Sequence, residues 1–518
     1  MSNLLDKAIA AMSPERALRR QLARKKLQVL NSGYGNYGAN RTKGSTKGWM
    51  DGGGSSREDI EDNLPVLRQR SRDLYMGAPL ATGAVKTYRT SVIGEGLSLK
   101  PKIDAERLGL TEEAATALEK TISREWELWA DSTDCDAARL SNFYELQQLA
   151  FLNWILSGDV IALLPSWQRP GSIYDLHINL IEADRVRTPA EKDRWDSDRI
   201  VDGVERNNRG EVVAYYIARN HPLGRQGYDT KCDRVAAYGR RTGRRNVLHI
   251  MNRERIGQVR GVPILAPVIE ALKQIARYTD AELTAAVLAG YFTVFIENGG
   301  EEVPIGEIIP EEARIDNRDE TTVELGQGAV VELGEGEKIS TASPGRPNTS
   351  FDGFVLSICK QIGAALELPQ ELLLKQFTAS YSASRGALLE AWKTFDMYRD
   401  WMASGFCQPI YEEWLSEAVL KGRISAPGFF TDPAIRRGYC RAEWYGPSRG
   451  QLDPLKEVNA AALRVRNGFS TGARESMELT STDYGDNVTE ITREAEMWQG
   501  YQAIVKAQEI PEDKEDEE

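Results

Sequence analysis

The stretch VPILAPVIEALKQIARYTDAELTAAVLAGY (262–291) constrains this chain more than any other. Its apolar residues recur at helical spacing and few breakers interrupt it, so it predicts one long helix. Pro263 sits at the start, and Pro267 falls in the first turn, where a missing N–H is tolerated. At 1.5 Å per residue, about 28 residues span roughly 42 Å. Short strands follow, FTVFIE (292–297) and part of VELGQGAVVELGEGEKIS (323–340), around a Gly- and Glu-rich insert. A second helix is expected over 351–366. A third long one, from 387 to 420, has a candidate kink at Pro409. Between them lies the polar, irregular segment 369–386.

The N-terminal half reads differently. Order begins near Asp62, with helical segments broken at Gly77-Ala78-Pro79 and Gly94-Glu95-Gly96. Thr111-Glu112-Glu113 opens another helix through Trp126 and Trp129, and SNFYELQQLAFLNWILSGD (141–159) is a further one that ends at Gly158. Strands follow at VIALLPSW (160–167), DLHINLIEADRV (175–186), GEVVAYYIA (210–218) and RNVLHI (245–250). Residues 60–260 thus form one α+β unit. The chain as a whole is α+β and mainly helical. Its 518 residues suit three or four folding units of about 100–200 residues each. Beyond 420 the pattern is mixed, with helices from Asp453-Pro454 and from Thr489.

The ends are polar. Ser13-Pro14-Glu15 starts a helix carrying Arg16, Arg19, Arg20, Arg24, Lys25 and Lys26, either a solvated face or an arm on DNA or an acidic neighbour. A Gly/Ser/Asn-rich linker covers 32–57. EIPEDKEDEE (509–518) reads as an acidic disordered tail.

Several chemistries fit poorly. Lys and Arg number 65 against 77 Asp and Glu, a net charge of −12, whereas freestanding nucleic-acid binders carry a basic excess. The best apolar window, 283–296, is shorter than the roughly 18 residues of a membrane span, so no membrane contact is expected. The N-terminus has no signal-peptide core. The five cysteines are scattered without a C-x-x-C pair, which suits a reducing cytoplasm, and the three histidines are isolated. No zinc site, other metal or cofactor is therefore expected. There is no Walker A sequence and no G-x-S-x-G elbow. GYGNYG (33–38) matches G-x-G-x-x-G formally, but a charged helix precedes it and polar coil follows, so the dinucleotide context is wrong. GEGEK (334–338) is a turn whose carboxylates would repel phosphate. Asp131–Asp136 lacks the glycine and distant Glu of a calcium loop and reads as a helix end followed by a turn. The enzyme reading, nucleotide- or metal-dependent, rests on those motifs alone.

Two polar segments remain. Arg240, Arg241, Arg244 and Arg245 lie in a turn between strands: a solvated loop, ion pairs to an acidic neighbouring subunit, or phosphate contacts. Segment 369–386 joins two long helices and carries Lys375, Gln376, Thr378, Ser380, Tyr381 and Ser382. Long loops between helices are commonly functional, and a lysine meets phosphate as a point charge.

The order of these pieces resembles a known family. The run NLPVLRQRSRDLYMGAPLATGAVKTYRTSVIGEGLSLKP, the W-x-x-W of EWELWADSTDCD, LSGDV, LIEADRV, RGVPILAPVIEALKQIARYTDAELTAA, ICKQIGAALELPQELLLKQFTASYSASRGALLEAW and LDPLKEVNAAALRVRNGFST together resemble the lambda-type tailed-bacteriophage portal proteins, over roughly 60–495. No single motif is diagnostic; the series in order is. The arm and the tail match nothing transferable.

The resemblance implies a ring, normally of twelve subunits, at one capsid vertex, assembled in the bacterial cytoplasm and carried in the virion. Genomic double-stranded DNA would enter through it by the action of terminase and leave through it at ejection. It would also nucleate head assembly with major capsid and scaffold proteins and seat a head-completion or adaptor protein. After the arm and linker (1–59), 60–261 would be the wing, 262–291 a descending stem helix, 292–345 the clip and 346–368 an ascending stem helix. Then 369–384 would be a DNA-facing tunnel loop, with Lys375, Gln376, Thr378, Ser380, Tyr381 and Ser382, and 385–420 the long wing helix. Residues 421–500 would complete wing and crown, and 501–518 would be tail. Phe292, Val294, Phe295, Val330 and Glu332 would form the clip's docking surface, in strands that complete a sheet only with neighbours. An acidic ring suits a channel that must not hold its cargo: DNA contacts would be non-specific and transient, with few basic residues such as Lys375 on the wall. A different connector or adaptor ring is the structural alternative, though such chains are usually much shorter.

Overall fold

Helix signals in the sequence set the frame of the structure. The computed structural model describes residues 52–190, 199–225, 231–291, 351–377, 380–450 and 453–508, with short pieces at 13–16, 19–20, 22–23, 45, 295–296 and 331–332. These divide into two compact units, Met1–Asp59 and Ile60–Glu518. In the first, 14–16 is helical and Arg19 Nη2 lies 3.4 Å from Glu15 Oε1. A single turn at Ser56–Asp59 is opened by acidic side chains, Ser55 N donating to Glu58 Oε2 at 2.8 Å. GYGNYG, GEGEK, Phe292, Val294, Val330, Thr378 and the tail 509–518 lie outside the described residues.

The second unit begins with helices α1 (Leu64–Gly77) and α2 (Pro79–Val92), parted at Ala78, which is extended before Pro79 as the proline ring demands. Strand β1 (Ser98–Pro101) follows. Thr111 caps α3 (Glu112–Ala130), its hydroxyl accepting from Ala114 N at 3.3 Å. Asn142 and Glu145 form a capping box on α4 (Phe143–Ser157), which Gly158 ends in the left-handed region at φ +88. Then come β2 (Asp159–Leu163), β3 (Asn179–Ile181), β4 (Ile200–Val201), β5 (Val204–Arg206), β6 (Val212–Ala218), β7 (Cys232–Ala236) and β8 (Val247–Met251). They build two antiparallel sheets, β3-β2-β8 and β4-β5-β6-β7. Ile161, Ile181, Val204, Tyr215, Ile217 and Val247 from both sheets form one apolar cluster. The sequence indicates only four strands here, because β4, β5 and β7 are short or polar. DLHINLIEADRV is extended in a sheet only at its centre.

The long helix α5 (Ile269–Tyr291) starts seven residues later than its sequence pattern suggests. Residues 261–264 are instead non-helical and pinned by backbone hydrogen bonds. Val262 N donates to Asn252 O at 3.2 Å and Ile264 N to Ile155 O at 2.9 Å, and a 3₁₀ turn at Ala266–Val268 contains Pro267. Strands β9 (Phe295–Ile296) and β10 (Val331–Glu332) pair in parallel with each other, Val331 opposite Phe295, so each has a partner within this chain. Helices α6 (Phe351–Ala365), α7 (Gln370–Leu374), α8 (Tyr381–Met402) and α9 (Gln408–Leu420) complete the central part. The segment expected to be irregular over 369–386 is thus largely helical. Leu373 is buried and anchors α7, and α8 begins at Tyr381 rather than 387, so Tyr381 and Ser382 stand on its first turn. The break expected at Pro409 becomes a π-helical turn at Ala403–Cys407. Widening the helix there accommodates a proline that cannot donate to the carbonyl four residues back.

Helix α10 (Pro433–Tyr439) leads to β11 (Ala442–Tyr445), which pairs antiparallel with β1, bringing Ser98 opposite Tyr445. Helices α11 (Pro454–Arg466), α12 (Gly472–Thr480) and α13 (Tyr484–Gln508) finish the described chain. α13 begins before Thr489 because Asp483 Oδ1 accepts from Gly485 N and Asp486 N at 2.7 and 3.1 Å. It also extends into the stretch expected to be tail.

The core sits where α3, α4, α8, α9 and β11 meet. Trp126 is its centre, with ring centroids of Phe143, Trp129, Trp414, Tyr411 and Trp444 between 5.0 and 5.9 Å away. Residues 60–260 therefore share a core with the later helices. At its edge, the backbones of Gly158 and Gly261 touch: a methyl on Gly261 would lie 1.8 Å from the Gly158 carbonyl oxygen. Gly261→Ala is expected to destabilise the protein by roughly 1–3 kcal/mol or more, read as a lower midpoint in urea unfolding. An unchanged midpoint would show that the two segments can move apart freely.

Candidate functional site

The contact between Gly158 and Gly261 brings together the residues on either side of them. Asp159 opens β2, Arg260 precedes Gly261, and Arg68 reaches in from α1; all three side chains are buried. Arg260 Nε donates to Asp159 Oδ2 at 2.6 Å and Nη2 to Oδ1 at 3.2 Å. Its remaining N–H groups reach the carbonyls of Val186, Ala183 and Asp202 at 2.8, 2.7 and 2.7 Å and the Asp202 carboxylate at 2.9 Å. Arg68 Nε donates to Ser157 O at 3.0 Å, while Nη2 lies 3.4 Å from Asp159. His249 Nε2 and Gly261 N lie 3.2 and 3.1 Å from Asp159 Oδ2. Asp202 and Gly203, at φ +43 and +80, form the tight Asp-Gly turn of the β4–β5 hairpin.

Burial alone would raise the Asp159 carboxyl, but Arg260, Arg68 and His249 carry it well below the usual carboxylate range. Burial likewise opposes the charge on Arg260, and Asp159 and Asp202 outweigh it. Neighbouring Glu61 is raised, chiefly by burial, and accepts from Val259 N at 2.8 Å. With every ionised group paired, this network ties α1, β2, β8, the β4–β5 turn and the lead-in to α5 into one joint. Sequence reading passed over it. The available signal was Asp159 itself, a carboxylate at the head of the apolar run VIALL.

The polar loop between α7 and α8 is smaller than expected. Lys375 ends α7 in the left-handed region at φ +54, and Gln376 N donates to Glu371 O at 3.0 Å. Lys375 and Gln376 are exposed, as is Phe377, an aromatic side chain absent from the expected set. Ser380 is the N-terminal cap of α8, and Ser382 is exposed on the first turn. The base of the loop is firm. Leu368 N donates to Gly363 O at 2.8 Å, Thr394 Oγ1 to Glu367 Oε2 at 2.9 Å, and the Tyr88 hydroxyl to Leu366 O. A rigid base thus presents Lys375, Gln376 and Phe377 to solvent.

The arginine turn between β7 and β8 splits into two pairs. Arg244 donates to Glu413 Oε2 of α9 and to Leu164 O, both at 3.1 Å, and Arg245 lies 5.6 Å from the Tyr238 ring centre. These two fasten the turn to the protein, with an acidic partner inside the chain. Arg240 and Arg241 are exposed. In Asp131–Asp136 the carboxylate of Asp136 accepts from the backbone of Ala138, Leu140 and Ser141 at 3.0, 2.9 and 3.3 Å. It is a turn after a helix end, as the sequence indicates. Among the described residues no three potential ligands gather to hold a metal ion, and no helix is long and apolar enough to cross a membrane.

Several ionisable groups in this fold fasten elements together. Over residues 42–399 the chain matches the family model described as phage portal protein, lambda family. It belongs to that family, and its α+β, mainly helical fold is the portal fold. It is 22% identical over 491 residues to the portal protein of Escherichia phage N15, covering 90% of this chain and 89% of that protein. It is 22% identical over 471 residues to portal protein B of Escherichia phage lambda, covering 86% of each. A probable portal protein of Halomonas phage phiHAP-1 is 21% identical over 448 residues, or 85% of this chain and 82% of that one. Among solved structures it is similar to a chain in the neck of a native gene transfer agent particle computed with C12 symmetry. That likeness has a TM-score of 0.39 at 15% identity and covers 80% of this chain and 92% of the other.

Replacing Asp159 by Asn leaves two buried guanidiniums short of a counter-charge and is expected to cost about 3–5 kcal/mol. Because the folded carboxyl is depressed, its contribution is complete above the unfolded value near pH 3.9 and is lost as pH falls toward the folded one. Urea unfolding at a series of pH values should show the wild-type advantage shrinking only below about pH 4. An advantage that persists unchanged at lower pH would contradict this.

Proposed function

We propose that this chain is the subunit of a ring, normally of twelve copies, at one capsid vertex, through which terminase packages double-stranded DNA and through which the DNA later leaves. The family match over 42–399 carries this reading. In it, 60–261 forms the wing, α5 descends as a stem helix, 292–345 forms the clip, and α6 returns as the second stem helix. Residues 369–384 form the tunnel loop facing DNA, and 385–420 form the long wing helix. Residues 421–500 complete wing and crown. Terminase, and later a head-completion protein, would dock at the clip, and capsid and scaffold proteins would surround the wing.

Apolar side chains on the two long helices support lateral packing. Leu283 and Val287 of α5 are 63% and 49% exposed, and Phe354 of α6 is 52% exposed. Within the chain, Tyr278 of α5 packs on Phe351 and Phe354 at 5.5 and 5.2 Å, so the helices already lie side by side. Lys375 and Gln376 give the loop one point charge and one amide, enough to touch phosphates without holding them. The net charge of −12 per copy gives the ring a field of one sign that discourages tight binding.

Negative-stain images of the purified protein should show a radial ring with a central hole; a compact single copy would overturn the reading. In a packaging assay, Lys375→Ala should shorten the packaged DNA while ring formation is kept. Unchanged length would remove Lys375 from the channel wall.

A further inference from the structure

The last three helices hold firmly to one another. Arg464 of α11 grips Glu475 of α12 with two N–H groups. Asn487 of α13 donates to Ser476 Oγ of α12 at 2.9 Å and to Thr482 Oγ1 at 2.8 Å, and Ser476 Oγ donates to Thr482 O at 3.0 Å. A methyl on Gly472 would lie 2.8 Å from the Tyr484 ring, so α12 and α13 touch closely. Toward the rest of the chain little is buried. Ala461 and Glu475 are the buried residues of α11 and α12, and α13 is exposed on every side from Val488 to Gln499. The corner between α12 and α13 meets the small β1–β11 sheet. There Lys100 of β1 pairs with Asp483, and Ser481 Oγ lies 3.4 Å from Gly446 O. Beside the corner is an open cleft of about 1470 Å³, lined by Lys120 and Arg124 of α3 and by Met477, Asp486 and Thr489.

We propose that the Lys100–Asp483 pair is a salt-sensitive latch that holds helices α11–α13, as one piece, at a set angle to β1 and α3. When it opens, the piece swings over the cleft. The inference is a property of one copy and stands apart from the ring reading. Asp483 has two tasks, one per oxygen. Oδ1 accepts from Gly485 N and Asp486 N at 2.7 and 3.1 Å and so caps α13, while Oδ2 takes Lys100. The latch is thus built into the root of the helix, and its lever is long. The 25 residues of α13 reach about 37 Å, so a turn of about 10° at the root moves the far end roughly 6 Å. Solvent reaches the pair, its side chains being 37% and 24% exposed, and a pair of that kind is weak and screened by salt. Opening does not strand the ammonium, because Glu119 and Glu443 act on the same Lys100 from the body side. A firm piece, a weak contact and an open cleft together permit a second position.

The test is electron cryomicroscopy of the full chain, with particles sorted by the angle between α13 and α3, at about 0.1 M and about 1 M salt. In wild type most particles should share one angle at low salt, and the displaced fraction should rise roughly two- to fivefold at high salt. Lys100→Gln should show the raised fraction already at low salt, with no further response to salt. Lys100→Arg, which keeps the charge, should behave as wild type. Asp483→Asn, which keeps a capping oxygen and loses the charge, should match Lys100→Gln, separating the latch from the cap. An angle distribution that Lys100→Gln leaves unchanged would overturn the proposal. So would a wild type already spread over many angles at low salt. Rings and single copies serve equally, so the outcome is read apart from ring formation.

Discussion

The buried carboxylate of Asp159 is the constraint on which the arrangement of the larger unit depends. A charge sealed from water is tolerable only when opposite charge and hydrogen bonds surround it. Here that requirement recruits groups from places far apart in the chain: Arg68 from α1, His249 from β8, Arg260 and the Gly261 amide from the approach to α5. Arg260 in turn needs the carbonyls of Ala183, Val186 and Asp202. Each partner satisfies another's demand, so the joint has one geometry. That geometry sets where the long helix leaves the body of the molecule.

The two glycines complete the joint. Gly158 and Gly261 let two backbones meet where side chains would collide, and this close approach is what brings Asp159 and Arg260 together. Electrostatic pairing and steric permission therefore act on the same few residues. The consequence runs outward: α5 starts only at Ile269, after a lead-in pinned by backbone hydrogen bonds. In the ring proposed above, such a joint would give every copy the same angle at the root of the long helix.

Much of this was legible in the residues. Thr111, Gly158 and Asp453 mark helix ends where the structure has them, because caps act through local hydrogen bonds. The pairing of Trp126 with Tyr411 and Trp414 of α9 was not, since the rings meet across nearly 300 positions of chain. The loop before α8 was overdrawn because LLLKQFTAS mixes apolar and polar residues; burial of Leu373 decides that its first half is helical. The turn with Arg240, Arg241, Arg244 and Arg245 looked uniform in sequence, yet Glu413 takes Arg244 and Tyr238 takes Arg245, and only the fold could divide them.

Local grammar alone settled that this chain is α+β and mainly helical, that a long helix lies within 262–291, that polar stretches join the long helices, and that the charge balance is acidic. Those properties depend on neighbours within a few positions, or on counting. Which arginines are exposed and which are buried, where the long helix truly starts, and that Asp159 is the hub were decided only in three dimensions. Arg68, Arg253 and Arg260 are the same residue type in similar polar surroundings along the chain. What separates them is the distance to a carboxylate supplied by another segment, and that distance exists only once the chain has folded.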